Sequence, residues 1–196
     1  MKAVLMVHLL FAAVLLSLGL EAANFQQHYA KPNTSSSLEI KKFVETPEPI
    51  WTYNSTLGVS FRCKVDVMSV CTENVIQFNR THYINHRKQT RALKGLFRPD
   101  RKDQMFVRML GGWTITAEQL VYVNENNSCA VLELWLPFPG TRPWYDLRIK
   151  NSSVVEGPSE DCSLYFNKTA GAGKPLYSSD CQAILQQASV TRRDPV

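Results

Sequence analysis

From Leu57 to Val70 the sequence reads LGVSFRCKVDVMSV, and its apolar residues recur at every second position. Val59, Phe61, Cys63, Val65 and Val67 share one face; Ser60, Arg62, Lys64 and Asp66 share the other. A period of two defines an extended strand with one face buried. The same texture returns in NVIQFNRTHYI, TRALKGLF, QMFVRML, WTITAEQLVYV, CAVLELWLPF and WYDLRIKNSS, separated by the turn formers FRPD, LGG, NENNS and PFPGTRP. About seven or eight short strands at hairpin spacing, without helices between them, predict an antiparallel barrel or sandwich.

Helical signals flank the strands. In SSSLEIKKFVE, Ser36 and Glu39 form a capping box, and Pro47 and Pro49 end the segment. In PSEDCSLYFNKTAG, Ser159 is placed as the N-cap, Glu160 and Asp161 suit the first turn, and Gly171 or the residue before it closes the helix. A short helix, a run of strands and a final helix is the order of a lipocalin-like barrel.

Residues 1–22 read as a secretory signal: Lys2, an apolar run from Ala3 to Leu20, and small residues at Ala22 and Ala23 for the cut. Residues 23–196 then form a single domain, with 185–196 as a frayed tail. Six N-x-S/T sequons, at Asn33, Asn54, Asn79, Asn126, Asn151 and Asn167, agree with secretion. Five cysteines outside the signal, Cys63, Cys71, Cys129, Cys162 and Cys181, pair in an oxidising compartment with one left over; spacing does not fix the connectivity. The net charge of +5 aids solubility and favours anions, but says nothing about fold. The basic stretch 87–102 lacks the interleaved aromatics of a nucleic-acid platform and reads as a solvated strand pair and loop, with a heparin-like polyanion as the alternative.

No catalytic signature is present: no G-x-S-x-G, no H-E-x-x-H and no phosphate-binding glycine loop. His82 and His86 have helical ligand spacing but lie in a β-like stretch, so neither metal nor cofactor is expected. In EPIWTYNST, an extended chain sends Trp51 and Tyr53 inward and Asn54 outward, so one segment buries a tryptophan and displays a glycan.

The segments EPIWTYNST…FRCKVD, VYVNENNSCAVLELW, YDLRIK, GPSEDCSLYFN and YSSDCQ resemble the salivary lipocalins of ticks, the histamine-binding family, over residues 38–182. The resemblance implies a lipocalin-like eight-stranded antiparallel barrel with a central cavity, a short N-terminal helix before the first strand and a C-terminal helix packed outside, with bridges Cys63–Cys181 and Cys129–Cys162 and an unpaired Cys71. Pro49 stands where ordinary lipocalins have the glycine of G-x-W. The family sequesters small mediators of host inflammation, which implies a secreted, monomeric binder of a biogenic amine (histamine or serotonin) that suppresses host defence. A buried ammonium needs carboxylates and aromatic faces. The match carries Glu48, Trp51, Glu118 and Asp146 over as contacts, with Glu48 and Trp51 aligned on a single turn. Glu45 stands where the family has a tyrosine.

The strand WYDLRIK sets a conflict. Tyr145, Leu147 and Ile149 form its apolar face, which ordinarily points inward and sends Asp146 out; a ligand role for Asp146 requires the reverse, with the apolar face under the outer helix. Two alternatives remain. An eicosanoid scavenger would use Arg108 for the ligand's carboxylate. A protein- or polysaccharide-binding module would keep its barrel filled. Neither nucleic acid nor, once the signal is removed, a membrane is an expected partner.

Overall fold

A computed structural model describes residues 38–186 except Val59. The signal, Asn33, His28, Ser36 and the tail beyond residue 186 lie outside the described residues. The chain begins with α1 (Ile40–Val44) and continues through β1 (Ile50–Ser55), β2 (Phe61–Cys71), β3 (Val75–Ile84) and β4 (Arg87–Phe97). Then come β5 (Gln104–Met109), β6 (Thr114–Val123), β7 (Cys129–Trp135) and β8 (Trp144–Lys150). After a 3-10 turn at Asn151–Ser153 come α2 (Glu160–Ala170), β9 (Lys174–Pro175), a 3-10 turn at Ser179–Gln182 and α3 (Ala183–Gln186).

Each strand pairs antiparallel with its neighbour, and β1 closes the barrel by pairing with both β2 and β8. The β1–β2 seam is short, only Ile50↔Asp66 and Trp51↔Val65. Beyond it the chain after α2 fills the gap: Leu176 donates to the Tyr53 carbonyl at 2.8 Å and Cys63 donates to the Leu176 carbonyl at 2.7 Å. The Cys63–Cys181 disulfide holds this insert, and Cys129–Cys162 ties β7 to α2. This is the pairing the resemblance implied, with Cys71 unpaired.

Two buried layers result. Inside the barrel lie Ile76, Phe78, Leu93, Met105, Val107, Leu120, Leu132 and Leu134, closed at one end by Ile40, Phe43 and Val44 of α1. Gly95 faces this layer at close quarters, since a Cβ there would meet Ile76 Cγ2 at 2.7 Å. Outside the wall, Val65, Val131, Leu147, Ile149 and Trp51 pack against Phe166 of α2, Ile184 and the disulfides. The helix α2 suits its place: Glu160 and Asp161 complement its N-terminal dipole, and Gly171 ends it at φ 73°. No helix among the described residues is long and apolar enough to cross a membrane.

Candidate functional site

The middle of the lumen is charged. Asp146 and Arg148 of β8, Lys64 and Asp66 of β2 and Arg80 of β3 converge there, and Glu118 of β6 joins them from across the barrel. Lys64 Nζ lies 2.7 Å from Asp146 Oδ2, and Arg148 reaches the same oxygen at 3.3 Å and Glu118 at 2.8 Å. Arg80 grips Asp66 through Nε and Nη2, both at 2.7 Å, and reaches Glu118 at 3.0 Å. Ser55 Oγ donates to Asp146 Oδ1 at 2.7 Å. Three cations thus answer three carboxylates. Burial alone would raise the Glu118 and Asp146 pKa values. For Glu118 the charges of Arg148, Arg80 and Lys64 outweigh that, and for Asp146 those of Lys64 and Arg148 do, so both acids stay below their ordinary range.

Between this cluster and the α1 end lies a cavity of about 20 Å³, lined by Val44, Thr46, Glu48, Ile50, Asp66, Met68, Ile76, Phe78, Met105 and Arg148. A volume of that size holds about one water, whereas a benzene-sized ring needs roughly 150 Å³. The lumen at this level, between the cluster and α1, is therefore close to filled by its own side chains.

The proposed contacts separate on this geometry. Asp146 and Glu118 face the lumen, and Glu48 lines the cavity, while its Oε2 accepts from the exposed Ser152 amide at 2.9 Å. That bond, opposing the effect of burial, lowers the Glu48 pKa, with help from Lys150. Asp146 resolves the conflict in WYDLRIK: Leu147 and Ile149 turn outward beneath α2, and the charged face turns in. Trp51 corrects the inward reading. It is fully buried, but in the outer layer, edge-on to Tyr177 at 5.0 Å, with Nε1 donating to Asn151 Oδ1 at 2.9 Å. Glu48 and Trp51 do not share a turn, because β1 is already extended at Ile50 and puts Trp51 on the face opposite the cavity. Arg108 alternates with the inward Met105 and Val107 and lies on the outer face of β5, away from any ligand in the lumen.

Sequence reasoning left out Lys64, Asp66, Arg80 and Arg148. The signal was available in part: Lys64 and Asp66 share the polar face of β2, and Asp146 and Arg148 that of β8. As for metals, Cys129, Asp161 and Cys162 approach one another closely enough to share an ion, but both sulfurs are committed to the disulfide.

Solved structures share this architecture. The structure of AM182 in complex with serotonin matches with a TM-score of 0.58 at 16% identity, covering 78% of this chain and 97% of that one. Apocrustacyanin C2 matches with a TM-score of 0.52 at 11% identity over 84% and 90% of the two chains. The cockroach allergen Per a 4 matches at 0.50 with 14% identity over 74% and 92%. No family model matches the sequence, and comparison with curated proteins gives no match. The fold and these neighbours define a lipocalin-type barrel.

Proposed function

We propose that the chain is a secreted, non-enzymatic, monomeric binding protein that takes up a small organic cation in its barrel, a biogenic amine such as histamine or serotonin foremost. The observation that carries the reading is the cavity where two carboxylates, Glu48 and Asp66, meet Phe78, Met68 and Met105. Asp66 belongs to the neutral six-charge cluster, whereas Glu48 makes no ion pair within 4 Å among the described residues. An entering ammonium would therefore be balanced by Glu48, and the ring would lie against Phe78 and the two thioethers. Buried charge clusters contribute little net stability compared with apolar packing, so their retention in a lumen favours a polar ligand. The serotonin complex of AM182 supports the same ligand class, and the two disulfides support secretion.

A cavity of about 20 Å³ admits no amine as it stands. Binding would require Val44, Thr46 and Glu48, which follow or end α1, to move outward. The small volume favours a second reading, a filled barrel that works through its outer surface. The eicosanoid alternative is the weakest, since its cation would have to come from Arg148, already shared by carboxylates.

Calorimetry of the secreted protein with histamine, serotonin and leukotriene B4 tests these readings. An amine is expected to bind, and Glu48→Gln to weaken it by about tenfold or more. No heat from any of the three at micromolar concentration would overturn small-molecule binding. Equal weakening of an amine and a carboxylate ligand would overturn the role of Glu48.

A further inference from the structure

The four connections β1–β2, β3–β4, β5–β6 and β7–β8 lie at the barrel end opposite α1. Residues 56–60, 83–91, 108–114 and 136–143 of this end include Arg87, Lys88, Arg91, Arg108 and Arg142 but no Asp or Glu. None of these five cations is in an ion pair among the described residues, although Lys88 Nζ donates to the Ile184 carbonyl. The nearby Arg62 is neutralised by Asp180 at 2.9 Å. The α1 end differs: Lys41 and Lys42 pair with Glu73 and Glu39, Arg98 with Asp100, and Arg101 with Asp103. Toward the α1 end only Lys102 and Lys150 lack an ion pair among the described residues, against five cations here, so unanswered positive charge is greater on this rim.

Exposed apolar side chains collect on the same rim. Trp113 is 79% exposed, Phe138 61%, Leu110 51%, Met109 43% and Leu136 39%. They come from the β5–β6 tip and the β7–β8 loop, which adjoin because β6 pairs with β7. A tryptophan left in water at the tip of a hairpin gives the barrel no stability. A polysaccharide polyanion would use the basic residues and leave the apolar ones idle. An anionic bilayer uses both, since aromatic side chains settle at the headgroup level and arginines meet the lipid phosphates.

We propose that this rim is a peripheral docking surface for anionic lipid bilayers: Trp113, Phe138 and Leu110 enter the interface while Arg87, Arg91, Arg108 and Arg142 bind headgroups. The sequence-based expectation of no membrane partner rests on the lack of a spanning segment, which such a contact does not require. The cavity beside Glu48 lies toward the opposite end, so docking leaves the α1 segment that closes it facing solvent.

The test is co-sedimentation of the full secreted chain with vesicles of phosphatidylcholine alone or with phosphatidylserine added. Binding is expected only to the anionic vesicles and is expected to fall as salt rises. Arg142→Glu is expected to weaken it by about tenfold or more, since each basic residue near such a surface contributes about fivefold. Trp113→Ser is expected to weaken it by at least about fivefold. Both positions are exposed, and circular dichroism should confirm that both variants are folded. No binding to anionic vesicles would overturn the proposal. So would binding unchanged by Trp113→Ser, and capture by immobilised heparin without vesicle binding would assign the rim to a polysaccharide instead. Serotonin titration of the same variants is expected to match the parent chain, which separates failure here from failure of the amine reading.

Discussion

Lys64 and Asp146 meet at 2.7 Å inside the barrel, their side chains 8% and 0% exposed. They sit on β2 and β8, which are not neighbours in the sheet because β1 lies between them. The pair therefore spans the narrow β1 strand from within, near the part of the seam where β1 and β2 no longer pair directly. Coulomb attraction here offsets a desolvation cost of several kcal/mol per ion, and the net gain over apolar packing is small.

Removing one partner should be expensive and removing both should not. Asp146→Ala leaves Lys64 buried without its carboxylate and is expected to cost about 3–5 kcal/mol in urea unfolding. The double change Lys64→Met with Asp146→Leu leaves two cations, Arg80 and Arg148, facing two anions, Asp66 and Glu118. It is expected to recover most of the loss. A double variant as unstable as Asp146→Ala would refute the ion-pair account of this position.

Acidification should destabilise the fold in two stages. Burial first, then the charges of Lys64, Arg91 and Arg80, lower the His82 pKa below its ordinary 6.5. The unfolded chain then binds a proton there that the folded chain does not, so stability falls as pH drops below about 6.5. Glu118 and Asp146 are depressed below their ordinary 4.5 and 3.8. Their contribution is fully present above those values and is lost as pH falls toward the folded-state pKa values. Calorimetric Tm values between neutral pH and pH 3 should show a shallow decline followed by a steeper one. His82→Gln is expected to flatten only the first, and an unchanged first stage would remove His82 from the explanation.

The strands and the outer helix were legible because period-two alternation and end signals are local. Strand β2, β8 and the helix from Glu160 fall where the residues place them. Alternation tells which residues share a face, but not which of two interiors that face meets. In this barrel the outer wall of β1, β2 and β8 is itself buried beneath α2 and the C-terminal insert. Trp51 therefore reads correctly as buried and wrongly as lining the lumen. Asp146 and Arg148 turn inward against the usual rule because Leu147 and Ile149 have an apolar cover outside. The cluster also needs Glu118 from the far wall, a juxtaposition that only barrel closure creates.

The interior around Gly95 should not tolerate a side chain. A Cβ there would lie 2.7 Å from Ile76 Cγ2 and 3.0 Å from Met105 Sδ, both in the lumen. Gly95→Ala is expected to cost about 1–3 kcal/mol through overpacking. Ile76→Val on the same background should relieve part of it. If Gly95→Ala is neutral on its own, the lumen at this level is looser than the packing described.

The two disulfides should differ in weight. Cys63–Cys181 closes a separation of 118 residues and Cys129–Cys162 one of 33. Chain entropy lost from the unfolded state grows with the logarithm of loop length, a difference of about 1 kcal/mol in favour of the longer loop. Replacing both cysteines of Cys63–Cys181 by alanine should therefore lower stability by more than the same change at Cys129–Cys162. Cys63–Cys181 also pins the insert at Leu176, so its loss should speed exchange of the backbone amides of Leu176 and of position 63 first. Protection of those amides that survives the double replacement would mean the insert holds by hydrogen bonding and packing alone.

Glycan occupancy should follow the same two-layer geometry. Asn79, Asn126 and Asn167 are exposed, and each can carry a glycan without disturbing a neighbour. Asn54 and Asn151 are only partly exposed. Asn54 lies on β1 opposite Pro175 of β9 with its side-chain oxygen buried. Asn151 Oδ1 accepts from Trp51 Nε1 and from Gln182 Nε2, each at 2.9 Å, which fixes the amide against the outer layer. Peptide mass mapping of the chain expressed through a eukaryotic secretory pathway, with and without deglycosylation, is expected to find glycan at the three exposed sites and bare asparagine at Asn54 and Asn151. Asn151→Ala would leave the buried Trp51 N–H without its acceptor and is expected to cost about 1–3 kcal/mol. Full occupancy at Asn54 would mean that β9 does not cover β1, and the seal between β1 and β2 would need another explanation.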